Sequence, residues 1–196
     1  MIYVIRHGQT DWNKEGRIQG QVNVPLNDEG VRQAWEAHDA IAGVKFDAVF
    51  CSPLERTRQT CKIAYGGDDV IYDDRLMERD FGENDGVKRA EVDFAAFWTP
   101  GSAENSACGE SIDEMTARVV SFLDEINSKY KGKDILIVTH GGVIMIMKAY
   151  FCGMPKDNNF LEYLVTNGAV TKFDFKWRLS CGRKSGLKSR FYFLPR

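Results

Sequence analysis

Two short apolar runs in this chain end on a histidine beside a glycine. Ile2-Tyr3-Val4-Ile5 leads into Arg6-His7-Gly8, and Ile135-Leu136-Ile137-Val138-Thr139 leads into His140-Gly141-Gly142. Between them, Val49-Phe50-Cys51-Ser52 runs into Pro53-Leu54-Glu55-Arg56. Arginine grips two oxygens of a phosphoryl group with one planar fork and keeps its charge at any working pH. Neutral imidazole is a nucleophile, and passing a phosphoryl group through a phosphohistidine divides one hard step into two easier ones. A carboxylic acid with its pKa near neutrality can protonate the leaving oxygen. In an open parallel sheet, ligands bind outside the carboxyl ends of the strands. If the three runs are strands of one such sheet, two arginines and two histidines meet at one edge, as a phosphate pocket with a nucleophile in it.

The elements needed to hold those residues are legible around them. Strand and helix signals alternate, which predicts an α/β layer architecture. After the first strand comes a polar loop over 8–27. Asn27 then caps a predicted helix with Val31, Ala34, Trp35, His38, Ile41 and Ala42 on one stripe. A strand is predicted over 48–51 and a helix over 53–64, with Pro53 in its first turn. A third strand falls near 70–72. A short helix is expected to carry Val92, Phe94, Ala95, Phe97 and Trp98, and 99–110 reads as turns. Ser111 and Glu114 form a capping box before a long helix with Ile112, Met115, Val119, Phe122, Leu123, Ile126 and Tyr130 as its core stripe. A strand over 135–139, a helix over 143–151 closed by Gly153 and Pro155, and a late strand over 169–175 complete the pattern.

Arg6 and His7 are neighbours, so on a strand they would point to opposite faces. At least one must lie where the strand gives way to loop. Gly8 permits that turn and is expected to allow the backbone close to the ligand. The helices opening near Pro53 and Gly141 are expected to aim backbone N–H groups at the anion.

Composition narrows the class. A chain of 196 residues with 43% hydrophobic and 28% charged residues suits a single domain, 1–196, with one substantial core. A formal charge of −2 gives no electrostatic case for nucleic acid or an anionic membrane surface. No apolar run reaches spanning length and no leader pattern precedes Ile2, so a cytoplasmic protein is expected. The five cysteines, Cys51, Cys61, Cys108, Cys152 and Cys181, lack paired spacing and read as reduced thiols. His38 lies on an apolar stripe and is given no function. From Lys172 onward the chain holds eight basic residues and one acidic residue, Asp174, which reads as a solvated end from about 176.

The first histidine segment extends to Arg6-His7-Gly8-Gln9-Thr10-Asp11-Trp12-Asn13 and on through Arg17, Gly20, Pro25, Leu26 and Gly30. Ser52-Pro53-Leu54-Glu55-Arg56-Thr57-Arg58-Gln59-Thr60, Leu76-Met77-Glu78-Arg79-Asp80-Phe81-Gly82, Gly109-Glu110-Ser111 and Val138-Thr139-His140-Gly141-Gly142 follow in order. The set, over residues 2–175, resembles the histidine phosphatase superfamily, the phosphoglycerate mutase-like family. With the element pattern it implies a three-layer α/β sandwich, a mostly parallel sheet with helices on both faces. The resemblance implies His7 as nucleophile, and Arg6, Arg56 and His140 as the grip on the phosphoryl group. Asn13 would add a contact, and Glu78 would be the acid and then the base for water. Glu110, Asp80 and Glu83 stand as nearby alternatives for the acid. It implies a small phosphorylated metabolite as substrate and no metal or other cofactor. Asn23 stands where the family usually has an acid, Thr57 where alanine is common, and 82–86 lacks a frequent aromatic residue.

Three functions fit these motifs. The first is a phosphomonoester phosphatase. A phosphoglycerate mutase would need a longer insertion after the acid segment than this chain has. A catalytically idle phospho-ligand-binding module would not need both histidines, both arginines and Glu78. Oligomeric state is not legible.

Overall fold

The computed structural model describes residues 1–174. Its centre is β1 (Ile2–Arg6), which pairs in parallel with β4 (Ile135–Thr139), Arg6 lying opposite Thr139. β4 also pairs in parallel with β2 (Ala48–Cys51), and β2 with β3 (Val70–Tyr72). β5 (Val170–Phe173) closes the other edge antiparallel to β1, giving the order β3-β2-β4-β1-β5. The four parallel strands therefore end along one edge. The expected strand over 169–175 is β5, while Phe175 and the basic tail lie outside the described residues.

Strand alternation builds the layers. Ile2, Val4, Phe50, Ile135 and Ile137 face α5 (Ile112–Lys129) and α6 (Gly141–Cys152). Ile5, Val49, Cys51, Leu136 and Val138 face the other way, into a smaller core with α2 (Asp28–Ile41) and α3 (Glu55–Ala64). This is the expected sandwich with helices on both faces. α6 is apolar nearly all round and buried along most of its length, as a core helix must be. The Ser111–Glu114 capping box starts α5 as expected. The four described cysteines are free thiols. Among the described residues no helix is long and apolar enough to cross a membrane.

Several local expectations are corrected. α3 starts at Glu55, because the side chain of Asn23 accepts the Glu55 N–H at 3.0 Å and caps the helix past Pro53. α6 starts at Gly141, before Val143. The buried stripe of α2 is Gly30, Ala34, Ala37 and Ile41, whereas Val31 and Trp35 are exposed. Small residues face inward there because the helix backbone packs against the 8–9 backbone; a Cβ on Gly30 would lie 2.1 Å from the Gln9 carbonyl oxygen. His38 donates from Nδ1 to the Ala64 carbonyl at 2.9 Å and ties α2 to α3. Residues 89–98 form two separate 3-10 turns, Arg89–Glu91 and Ala96–Trp98, with Val92 extended between them. The 99–110 stretch contains a one-turn helix, α4 (Ala103–Ser106).

Candidate active site

β1 ends at Arg6, and His7 is the first residue beyond it. The register continues for one more bond, His7 N–H to the Thr139 carbonyl at 2.9 Å. On the other side its carbonyl accepts from Asn167 Nδ2 at 3.1 Å. The imidazole is buried and its Nδ1 donates to the Gly8 carbonyl at 2.7 Å. A carbonyl only accepts, so the proton sits on Nδ1 and the lone pair is on Nε2. Burial, then the charges of Arg56 and Arg6, hold the His7 pKa well below its ordinary value, so the ring is neutral and nucleophilic.

Gly8 is required by its packing. A Cβ there would lie 2.3 Å from the Gly30 carbonyl oxygen. This close approach to α2 locks the turn that carries His7 against that helix. The Gly8 N–H donates to Thr60 on α3 at 3.0 Å.

Arg56 projects from the first turn of α3 and is 1% exposed. Its Nη1 and Nη2 donate to the carbonyls of Val22 and Gly20 at 2.8 and 2.7 Å, and its Nε to His140 Nδ1 at 3.2 Å. Because arginine only donates, His140 carries its proton on Nε2, which donates to Ser52 Oγ at 2.8 Å. Burial depresses the His140 pKa, and Arg56, His7 and Arg6 add to the effect. Its ring centroid is 5.2 Å from that of His7. His140 thus lies beneath the cleft wall, behind Arg56, with both ring nitrogens engaged.

Arg6 donates from Nη1 to the Val165 carbonyl, while its buried Nε has no partner among the described residues. Burial lowers its pKa to about 10, with Glu78 raising it and Arg89 lowering it further. It remains a cation at neutral pH. Gly141 packs against its guanidinium; a Cβ on that glycine would lie 3.3 Å from Arg6 Cζ.

Asn13 is oriented by its helix. α1 (Asp11–Lys14) opens on a capping box in which Asn13 Oδ1 accepts the Thr10 N–H at 3.2 Å. Asn167 donates to the same oxygen at 3.1 Å. With Oδ1 taken twice, the amide NH2 is the free end, and Asn13 lines the cleft.

Glu78 follows the 3-10 turn Asp74–Leu76. Its Oε1 accepts from the Arg79 N–H at 2.9 Å and its Oε2 from the Gly142 N–H at 3.2 Å. A Cβ on Gly142 would fall 2.2 Å from Oε1, so that glycine makes room for the acid. Arg118 grips the 75–78 backbone from below, donating to the carbonyls of Arg75, Met77 and Glu78 while paired with Glu110. Glu110 is therefore a structural partner. Asp80 accepts the Gly82 N–H at 2.8 Å, and Glu83 is exposed. Of the four carboxyl groups considered, Glu78 alone lines the cleft. One N–H at each of the two helix N-termini is engaged within the protein, Glu55 N–H by Asn23 and Gly142 N–H by Glu78.

Arg6, His7, Asn13, Arg56 and Glu78 thus share one cleft. Among the lining residues, sequence reasoning missed Gln19, Arg89 and Trp98, which carry polar groups. Gln19 accepts from Thr10 Oγ1 at 2.8 Å, and its buried Nε2 has no partner among the described residues. Its position in Arg17-Ile18-Gln19-Gly20, inside the first motif, was the available signal. Arg89 and Trp98 come from the irregular 89–98 stretch, where no periodicity marks them. Beside the cleft, burial raises the Asp85 pKa to about 6.

A sequence model of the histidine phosphatase superfamily, branch 1, matches residues 2–178. The chain is 30% identical over 184 residues to an uncharacterized phosphatase, PhoE, of Bacillus subtilis, covering 91% of each protein. It is 31% identical over 162 residues to a probable phosphoglycerate mutase, GpmB, of Escherichia coli, covering 79% of this chain and 75% of the relative. A solved phosphoserine phosphatase from Entamoeba histolytica, in complex with 3-phosphoglyceric acid, superposes with a TM-score of 0.74 at 26% identity. That match covers 86% of this chain and 87% of the other.

Proposed function

This chain belongs to the histidine phosphatase superfamily and is a phosphomonoester hydrolase, and we propose that it works through a phosphohistidine formed on His7. The observation that carries the assignment is the His7 ring: Nδ1–H is held by the Gly8 carbonyl, so the Nε2 lone pair is free and the ring is neutral. Nε2 attacks phosphorus in line as the ester oxygen leaves. Glu78 gives that oxygen its proton, using a lone-pair position not occupied by Arg79 or Gly142. Glu78 then takes a proton from water as the water attacks the phosphohistidine, which restores His7 and releases inorganic phosphate.

Arg6 and Arg56 neutralise the phosphoryl oxygens, with Asn13 and Gln19 donating from their free amide groups. His140 acts here as a positioning residue, holding Arg56 by Nε from behind. The substrate is a small phosphorylated metabolite, in keeping with the ligand of the Entamoeba structure.

A short pulse of labelled nitrophenyl phosphate should leave acid-labile, base-stable label on the protein. His7→Ala should abolish it and lower kcat by about 10^4-fold or more. Label that survives in His7→Ala rules the assignment out. The relative named as a mutase gives the second reading. Offered 3-phosphoglycerate, a hydrolase releases phosphate as fast as it consumes ester. A mutase interconverts the positional isomers and releases little.

A further inference from the structure

Three neighbouring strands each end one residue before a buried polar side chain. His7 follows β1, His140 follows β4 and Ser52 follows β2, and these strands lie side by side in the order β2-β4-β1. His7 and His140 have tasks in the chemistry above, and Ser52 has none. Its Oγ nevertheless lies 2.8 Å from His140 Nε2, where it is the partner of that nitrogen among the described residues.

The serine is fixed from both sides. Its N–H donates to the Val138 carbonyl at 3.0 Å, which extends the pairing of β2 with β4 by one bond. Its carbonyl accepts from Thr57 Oγ1 at 3.0 Å, and the same hydroxyl meets the Leu54 carbonyl at 2.6 Å. Thr57 stands where the family commonly has alanine, so this tie is a feature of this chain. Ser52 Oγ itself accepts the Leu54 N–H at 3.4 Å. The hydroxyl oxygen is thereby held in one place, at the start of the helix that carries Arg56.

Proton bookkeeping on His140 gives that oxygen its importance. Arg56 Nε only donates, so the His140 Nδ1 that it meets at 3.2 Å presents a lone pair. The neutral ring then carries its proton on Nε2, and which nitrogen is protonated follows from the bond that the other one makes. The ring is 0% exposed, so water is not at hand for that N–H. Ser52 Oγ accepts it. Without the hydroxyl, the Nε2–H is a buried donor with nothing to meet, a costlier defect than a bare lone pair. The ring relieves it by turning or by moving its proton to Nδ1. Either change takes the lone pair away from Arg56 Nε, and a proton on Nδ1 sets donor against donor. Arg56 keeps its carbonyl holds on Val22 and Gly20 but loses the third direction that aims its fork.

We infer that Ser52 is a positioning residue for phosphoryl transfer, acting on Arg56 through His140. The inference rests on the phosphohistidine reading above and deepens it.

The test is a double-mutant cycle with a ring-nitrogen spectrum beside it. Ser52→Ala should lower kcat/KM about tenfold, for nitrophenyl phosphate and alkyl phosphates alike. Ser52→Thr, which keeps the hydroxyl, should recover most of the loss. In a His140→Ala background the same Ser52→Ala change should cost less than about twofold, because the serine then has nothing to act through. Ser52→Cys, close in size but a weak acceptor, should show the same loss and serves where Ser52→Ala folds poorly. The chain has three histidines, so 15N-histidine labelling gives a spectrum that can be assigned. Wild-type His140 should show a protonated Nε2 and a bare Nδ1. Ser52→Ala should move those signals and leave those of His38 in place. A proton on Nδ1 of wild-type His140 overturns the inference. So does a Ser52→Ala cost that persists in full without His140, or a Ser52→Ala enzyme equal to wild type. None of these results touches the hydrolytic reading, which wild-type turnover and label on His7 report separately.

Discussion

Arg56 and Arg89 line the same cleft and are held in opposite ways. Arg56 has a donor nitrogen on His140 and two more on the Val22 and Gly20 carbonyls. Arg89 rests on Phe94, and its Nε has no partner among the described residues. The same contrast runs through their surroundings. The floor is made of strand ends and first helical turns, where each polar group is fixed by the sheet register. The wall is made of 3-10 turns and aromatic side chains between Phe81 and Trp98. Preorganisation at the floor suits a reaction whose charge pattern is the same for every phosphomonoester. A wall built from loops can change its side chains without moving the floor.

That division is broken most directly at the floor. Arg56→Lys keeps the charge but loses two of the three directed donors, and it frees His140 Nδ1 as well. We expect kcat/KM to fall on the order of a hundredfold for every substrate, nitrophenyl phosphate included. A lysine variant near wild type in a steady-state assay would mean that the floor is not preorganised through Arg56, and the contrast with Arg89 would collapse.

The sequence discloses the two regions unequally for the same physical reason. His7, Arg56 and His140 sit at the ends of apolar runs, and a run of β-branched and aliphatic residues is visible one chain at a time. The layers follow from those runs and from the stripes of α5 and α6. The choice among four carboxyl groups in that segment rests, in sequence, on the motif alone. Three-dimensional contacts separate them, by placing Arg118 on Glu110 and the Gly142 N–H on Glu78. The inward face of α2 was misjudged because a hydrophobic stripe does not reveal a backbone-to-backbone contact such as Gly30 against Gln9. Arg89 carried no signal at all. A basic residue in an irregular loop looks solvated until its place on the cleft is seen.

A smaller effect sharpens the comparison at the seam between β1 and the loop before β5. Asn167 donates to the His7 carbonyl and to Asn13 Oδ1, both at 3.1 Å. Asn167 does not itself line the cleft, so it acts by aiming Asn13 and by fixing the turn at His7. Asn167→Ala should slow phosphohistidine formation by about tenfold, the worth of a hydrogen bond left unmade. Rapid-quench kinetics with nitrophenyl phosphate would read it. The loss should be the same for every phosphomonoester. A loss confined to some substrates would place Asn167 with the wall instead.

The smallest effect is one of stability and lies between the two regions. Asp85 packs against Gly20, the residue whose carbonyl holds Arg56, and its buried Oδ1 has no partner among the described residues. Burial, with Asp80 adding to it, raises its pKa to about 6. A carboxyl raised in the folded state above its unfolded value binds its proton more readily folded. Its penalty is therefore full above pH 6 and fades as pH falls toward the unfolded value of about 3.9. His7 and His140 act in the opposite sense. Buried and neutral, they hold stability that is lost as pH falls below about 6.5, where the unfolded chain takes up protons first. Wild type should accordingly lose stability on going from pH 7 to pH 5. Asp85→Asn should gain about 1 kcal/mol at pH 7, once screening over its exposed half is allowed for. Roughly half of that gain should remain at pH 5, where the wild-type carboxyl is already mostly protonated. Urea midpoints at the two pH values measure both quantities. A gain of the same size at pH 7 and pH 5 would show that Asp85 is not titrating against its burial.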